Sequence, residues 1–234
     1  MLTTVILIAL GSIPGLAWLA FYLKEDARHP EPKKLILYTF VAGALVTVFV
    51  LQFQIIINDW VVSKGYATYS LLSFMFLGVI EEIFKFVAVY LAVGRRREFD
   101  EPIDAMVYMI VAALGFATVE NITSVLQSDA LSITAPGPLE TTALRFVGAT
   151  VLHSLTSALV GYYWGKAMAR RQGMVGGIAQ GLLIATLLHA VFNYLIIKSE
   201  PVALPLIFLM FMALFVLNDF EKLKRADKGV PLQQ

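Results

Sequence analysis

The sequence contains no cysteine, few charged residues and only three histidines. The absence of cysteine excludes disulfides and thiolate chemistry. The net charge of +1 offers no basic surface for a nucleic-acid partner. Charged residues make up 15% of the chain, against about 25% in an average soluble domain. This low charge, with 59% hydrophobic residues and a mean hydropathy of +0.76, predicts a protein embedded in a lipid bilayer.

Apolar runs long enough for membrane-spanning helices, about 20 residues each, recur along the whole chain. No stretch alternates with the period of a β-strand, and no internal repeat or separate soluble domain is evident. We therefore predict an all-α fold, a polytopic transmembrane helix bundle of about seven spans. Residues 1–218 form one domain, and residues 219–234 form a short basic tail. The predicted spans are 2–23, 35–57, 67–93, 103–126, 141–167, 176–197 and 202–218.

Lysine and arginine are concentrated in every second connection between these spans. The connections after the first, third and fifth spans and the C-terminal tail are rich in basic residues, whereas the opposite connections have few. Basic residues are enriched in cytoplasmic loops. We therefore expect the N-terminus outside the cell membrane and the C-terminal tail in the cytoplasm. The N-terminus also lacks the basic segment of a cleaved signal peptide, so we expect the first run to be a span.

Ionisable residues interrupt the predicted spans at a few positions. Glu81, Glu82 and Lys85 lie within five residues of the third span. A charged side chain at the bilayer centre costs about 2.5–3.5 kcal/mol on insertion scales, and such residues are functional candidates. Later spans add further polar residues: Glu120 and Asn121 in the fourth, Arg145, His153 and Ser157 in the fifth, and His189 and Asn193 in the sixth.

A helix rises about 1.5 Å per residue, which allows the depth of these groups to be compared. Measured from the cytoplasmic ends of their spans, the glutamates and histidines lie roughly 18–26 Å deep. We therefore predict that they share one layer near the middle of the membrane. The members of this layer are Glu81, Glu82, Glu120, His153 and His189.

Several of these residues also have purely structural explanations. The i, i+4 spacing of Glu81 and Lys85 predicts an ion pair along the helix. Glu82 is then the better candidate for a general base. The histidines are alternatively hydrogen-bonding residues between helices. Structural interpretations also apply to Ser157, Asn193, Arg145 near the outer interface, and Asp104 near the start of the fourth span.

Glutamate, histidine and asparagine in one layer suit three kinds of chemistry. A buried carboxylate can act as a general base on water, with histidine or asparagine donating to an oxyanion. The same groups can bind Zn²⁺ with water in an open position; the candidate ligands are Glu82, Glu120, His153 and His189. The zinc-protease spacing His-Glu-x-x-His is absent. A transporter or a scaffold without enzymatic activity is a further alternative, although transporters usually contain internal repeats.

The motifs resemble those of the PrsW family of intramembrane proteases, and of the larger group that includes the CAAX-prenyl endopeptidases and the bacterial CPBP membrane proteins. The resemblance covers about residues 18–194. The matching motifs are Glu81-Glu82-x-x-Lys85, Gly115-Phe116-Ala117-x-x-Glu120-Asn121, His153 with Ser157, His189-x-x-x-Asn193, and Asp26 with Pro30-Glu31-Pro32. Phe116-x-x-x-Glu120 departs from the Phe-x-x-x-His of the CAAX enzymes, so the resemblance does not support prenyl-protein processing.

The resemblance implies a protease-like domain that cuts single-span membrane proteins. The family's namesake makes the first, outer-face cut in an anti-sigma factor. By the same resemblance, Glu81 or Glu82 is the general base, and His189 and Asn193 are oxyanion donors. His153 supplies a further imidazole. Lys85, Asn121, Arg145 and Ser157 support the site, and Glu120 belongs to it. The choice between a glutamate-activated water and Zn²⁺ stays open.

Overall fold

The computed structural model describes residues 1–25, 30–67, 70–128, 136–171, 173–199 and 203–226, and these ranges contain eight helices and no strand. The helices are α1 Leu2–Glu25, α2 Lys33–Ser63, α3 Leu71–Ala92, α4 Pro102–Gln127, α5 Pro138–Val147, α6 Ala149–Ala169, α7 Met174–Lys198 and α8 Ala203–Ala226. The prediction of an all-α helix bundle is confirmed for this part of the chain.

Within the described ranges, six helical segments are long and apolar enough to cross a membrane, with α5 and α6 counted together as one segment, Pro138–Ala169. The break between α5 and α6 is at Gly148. The remaining helix, α3, has 22 residues and is about 33 Å long, enough for the hydrocarbon core. It differs from the other six in the three charged residues of its middle. The last helix continues to Ala226, beyond the span end predicted at residue 218.

The centre of the bundle is α4, which packs against α1, α2 and α6. Nearly every side chain from Ile103 to Thr118 is buried, so this helix is surrounded by protein instead of lipid. The helix α2 approaches it at two glycines. A β-carbon at Gly43 of α2 would lie 2.0 Å from the Ala112 carbonyl oxygen, and one at Gly115 of α4 would lie 2.0 Å from that of Phe40. Small residues allow such backbone contact between membrane helices.

The turn before α4 confirms the helix-start role of Asp104. Its Oδ2 accepts the backbone N–H groups of Asp100 and Glu101, at 3.0 and 2.9 Å. One turn later, the hydroxyl of Tyr108 donates to Glu31 Oε2, which ties the Pro30-Glu31-Pro32 segment to α4. Asp26, the first residue of that sequence motif, lies outside the described residues.

The helix α3 has one face buried in the bundle and one apolar face exposed on the outside. Its buried residues follow helical spacing and include all three charges: Ser73, Phe74, Gly78, Glu81, Glu82, Lys85, Ala88 and Val89. Four apolar residues on the opposite face are exposed on the outside of the bundle: Val79, Ile83, Val87 and Leu91. At Gly78, an added β-carbon would lie 3.4 Å from the Thr186 carbonyl oxygen and 3.6 Å from His189 Cβ. This close approach brings α7 beside the charged turn of α3.

The Gly43 contact predicts a stability difference between two glycine-to-alanine variants. Gly43→Ala places a methyl group against the backbone of α4 and is expected to cost about 1–3 kcal/mol. Gly176→Ala is the control, because it is also helical and its added β-carbon meets nothing within 4 Å. Thermal unfolding in detergent measures both. Equal midpoints for the two variants would contradict the proposed close packing of α2 on α4.

Candidate active site

Four helices bring the predicted polar layer together as one buried cluster. We call it the acid–histidine cluster; it consists of Glu81, Glu82 and Lys85 from α3, Glu120 from α4, His153 from α6 and His189 from α7. The ring centres of His153 and His189 are 5.1 Å apart. The residues predicted to share one layer therefore lie together in the fold.

Glu82 lies at the most heavily hydrogen-bonded position of the cluster. Its Oε1 accepts from Lys85 Nζ at 2.8 Å and from His189 Nδ1 at 2.9 Å. The hydroxyl of Thr156 lies 3.0 Å from the same oxygen, and that of Ser157 lies 3.4 Å from Oε2. The side chains of Glu82 and Lys85 are both fully buried. With a cation and several donors around it, this carboxylate is suited to holding the helices in register.

The predicted ion pair between Glu81 and Lys85 is wrong. Lys85 pairs with Glu82 at i, i+3 instead. The physical reason is the direction in which each side chain leaves α3. Glu82 and Lys85 both face α6, where His153 Nδ1 also accepts from Lys85 Nζ at 3.0 Å, whereas Glu81 reaches Gln54 of α2. Both spacings bring residues together on a helix, so sequence spacing alone does not choose between them.

One carboxylate oxygen of Glu81 accepts a hydrogen bond, and the other, called the open oxygen below, has no hydrogen-bond partner. Gln54 Nε2 donates to Oε1 at 2.9 Å, while Oε2 is buried without a hydrogen-bond partner. That open oxygen lies 3.5 Å from His189 Nε2 and 3.8 Å from His153 Nδ1. Because His189 donates through Nδ1 to Glu82, its Nε2 carries a lone pair in the neutral ring. Two lone-pair atoms therefore face each other, an arrangement that a water or a cation contacting both atoms would stabilise.

His153 links the cluster to a second ion pair. Its Nε2 lies 2.9 Å from Glu120 Oε2, and since Lys85 occupies Nδ1, Nε2 is the nitrogen that carries the proton. Arg145 Nη2 reaches the same carboxylate at 3.1 Å, and its Nε donates to Asn121 Oδ1. Asn121 in turn donates to the Thr150 hydroxyl at 2.9 Å.

In the part of the chain that the structure describes, the side chains become more exposed toward this end. The side chains of Arg145 and Glu120 are 21% and 15% exposed, while those of Glu81 and His153 are 5% and 3% exposed. Arg145 lies in the last turn of α5, and Glu120 lies in the second half of α4.

Asn193 is the one predicted catalytic residue that stays apart from the cluster. It lies one turn beyond His189 on α7 and is half-buried. No hydrogen bond joins it to the cluster within the described ranges. The residues that the sequence interpretation missed are Gln54, Thr150 and Thr156. Gln54 had a usable signal, since it is a polar residue in an apolar helix, at helical spacing from buried Thr47 and Val50.

The residues that could bind a metal in the structure only partly match the predicted metal ligands. One oxygen or nitrogen from each of Glu81, His153 and His189 lies within 4.8 Å of the others, so these three residues form a possible metal site. Glu81 takes the place predicted for Glu82, whose oxygens face Lys85 and hydroxyl groups. Of the three donors, Glu81 Oε2 and His189 Nε2 are free. His153 Nδ1 is engaged by Lys85, so the set as it stands fits a water better than a divalent ion.

Comparison with known proteins identifies the family of the chain. The model of the PrsW family of intramembrane metalloproteases matches residues 31–218. The chain belongs to this family.

Proteins named protease PrsW match this chain over most of its length. Protease PrsW of Geobacillus kaustophilus is 31% identical over 195 residues, which are 83% of this chain and 81% of that protein. Protease PrsW of Oceanobacillus iheyensis is 29% identical over 224 residues, 95% of this chain and 97% of that protein. Protease PrsW of Bacillus subtilis is 27% identical over 223 residues, 94% and 97% of the two chains. No solved structure matches the chain.

Membership of the PrsW family makes the chain a membrane-embedded protease with a membrane protein as substrate. The apolar helices agree with a multi-pass membrane protein. The predicted enzyme class and membrane location are confirmed at this level.

The buried pair of Lys85 and Glu82 predicts a large stability effect in this PrsW protein. Lys85→Met removes the cation but leaves Glu82 buried, and breaking such a pair costs about 3–5 kcal/mol. The control is Lys222→Met, which removes an i, i+3 pair whose lysine is 44% exposed and is expected to cost at most about 1 kcal/mol. Chemical denaturation in detergent compares them.

A second change tests the cause of that loss. Adding Glu82→Gln to Lys85→Met removes the unpaired charge, so the double variant is expected to recover part of the lost stability. If the double variant is less stable than Lys85→Met alone, the loss comes from packing and not from the charge.

Proposed function

We propose that this chain hydrolyses a peptide bond in a single-span membrane protein, such as an anti-sigma factor, with a water activated by Glu81. The observation that carries the proposal is the open Oε2 of Glu81, buried without a partner and 3.5 Å from His189 Nε2. A water placed there donates one hydrogen to Glu81 and one to His189. Such a water is held, oriented and next to a general base.

The reaction follows from these positions. Glu81 takes a proton from the water, and the oxygen attacks the peptide carbonyl carbon to give a tetrahedral intermediate. The carbon–nitrogen bond then breaks, and Glu81 returns the proton to the leaving amine. Glu82 stays paired with Lys85 and does not exchange protons. The assignment of Glu81 as base reverses the role expected from the sequence, because the lysine neutralises the other carboxylate.

The oxyanion requires a donor that is not already used. His189 donates its Nδ1 hydrogen to Glu82, so in this tautomer it orients the water instead of the oxyanion. Asn193 shares a face of α7 with His189 and has a side-chain amide without a hydrogen-bond partner in the described structure. We assign the oxyanion to this amide, as the resemblance implies for the same residue.

Cleavage of a co-reconstituted single-span substrate tests the function. Glu81→Gln removes the base but keeps the size and the Gln54 contact, so cleavage is expected to fall about 10²–10⁴-fold with little change in stability. Glu82→Gln leaves Lys85 unpaired and is expected to lose stability as well. Glu140→Gln, an exposed glutamate on α5, is the matched control and is expected to cut at the wild-type rate. Wild-type activity in Glu81→Gln would remove Glu81 as the base.

A zinc-dependent reaction on Glu81, His153 and His189 is the second candidate. The description of the family as metalloproteases and the 4.8 Å grouping of the three donors favour it. The same assay separates the two, with metal content measured by mass spectrometry. Unchanged cleavage by metal-free protein supports the water activated by Glu81 alone. Loss of cleavage on chelation, with recovery on adding Zn²⁺, supports the metal.

The orientation in the membrane is part of the proposal. With the N-terminus outside, the exposed end of the cluster at Arg145 faces outward, as an outer-face cut requires. The chain has no cysteine, so single cysteines report their side directly. We expect a membrane-impermeant maleimide to label Lys198→Cys in intact cells and to leave Arg96→Cys unlabelled until the cells are opened. The reverse pattern would contradict the orientation.

A further inference from the structure

Gln54 is a polar residue beside the cluster that has no role in the proposed reaction. It lies on α2, on the face whose residues Thr47, Val50 and Val61 are buried. Its amide Nε2 donates to Glu81 Oε1 at 2.9 Å. The neighbouring rings of Phe53 and Phe84, 5.5 Å apart, pack α2 on α3 at the same level. The amide is therefore held against the charged turn of α3 by the packing of the two helices.

The bond to Gln54 makes the two oxygens of Glu81 different. The last torsion of a glutamate side chain is broad, so a carboxylate without a partner does not keep one orientation. Gln54 holds Oε1 toward α2, and Oε2 is then directed to the opposite side. On that side lie His189 Nε2 at 3.5 Å and His153 Nδ1 at 3.8 Å. The orientation of the reactive oxygen thus depends on a residue of a different helix.

The chemistry of the donor matters as much as its place. Glu82 is held by the ammonium of Lys85, which neutralises it. Glu81 is held by an amide, which donates a hydrogen but adds no charge. The two adjacent carboxylates are therefore fixed in position by different means, and only Glu81 is fixed without an added cation.

We propose that Gln54 is a positioning residue of the protease site, which orients the carboxylate of Glu81 so that Oε2 meets the reacting water. This inference rests on the proposed function, because it assigns Gln54 a role in the reaction through Glu81. Partners that orient a reactive or ligating carboxylate typically contribute about 10–100-fold to activity.

The experiment compares Gln54→Met with Gln52→Met in proteoliposomes that contain a single-span substrate. Gln52 lies two residues away on the exposed face of α2, so its variant makes the same chemical change away from the site. Gln54→Met is expected to lower kcat about 10–100-fold with KM within about twofold of wild type, while Gln52→Met keeps both values. Gln54→Asn keeps the amide but shortens its reach by about 1.5 Å, and is expected to lose kcat similarly without a change of polarity.

An infrared measurement gives a readout that does not depend on cleavage. The carboxylate band of Glu81 is identified as the band that disappears in Glu81→Gln. It is expected to shift in Gln54→Met and Gln54→Asn and to stay in place in Gln52→Met. Normal kcat in both Gln54 variants, an unshifted band, or an equal loss of activity in Gln52→Met would overturn the inference.

The two readouts keep the inference separate from the proposed function. If wild-type protein cuts and the Gln54 variants cut equally well, the inference fails and the proposed function stands. If wild-type protein cuts nothing, the proposed function fails and takes the reaction role of Gln54 with it, while the band still reports whether Gln54 orients Glu81.

Discussion

A charged side chain in the middle of a bilayer has no bulk water around it, so it needs partners from other side chains. In this protein the cluster contains three carboxylates and one lysine, and Arg145 adds a second cation at its edge. With neutral imidazoles and ionised carboxylates, one negative charge stays uncompensated. The structure places the open oxygen on Glu81, the carboxylate that no cation pairs with directly. The need to satisfy buried charges therefore also singles out the reactive group.

The packing of the helices keeps these charged side chains together and away from lipid and bulk water. The central helix α4 is buried along most of its length, and glycines let α2 approach its backbone closely. Gly78 lets α7 approach α3, which brings His189 within reach of Glu82. The charges are thus enclosed by protein on several sides, while the apolar faces of the outer helices meet lipid. Among the described residues of the cluster and its edge, exposure increases toward Glu120 and Arg145.

The two adjacent glutamates have different hydrogen-bond partners although they are the same residue type. Both are buried, and they are neighbours in sequence. Glu82 faces α6 and α7, where it accepts from two hydroxyl groups and the His189 imidazole, and it also pairs with Lys85 of its own helix. Glu81 faces α2 and the two imidazoles, where one amide holds one oxygen and leaves the other open. About 100° of rotation between successive residues on a helix is enough to give them different partners.

The sequence by itself determined the fold class, the helices and the membership of the polar layer. Apolar runs of membrane length, and costly charges inside them, are properties of the chain that need no tertiary contacts. It also placed Glu120, His153 and His189 at one depth, because helix rise converts residue number into depth.

Only the tertiary structure decided which groups pair within that layer. Lys85 had two equally good neighbours on its own helix, and the choice of Glu82 came from His153 on α6. Gln54 gained a role because α2 packs beside Glu81, and Glu82 lost its predicted place among the metal ligands to Glu81. Depth follows from position along one helix, whereas pairing depends on how each helix is rotated against its neighbours, and that rotation is set by packing of the whole bundle.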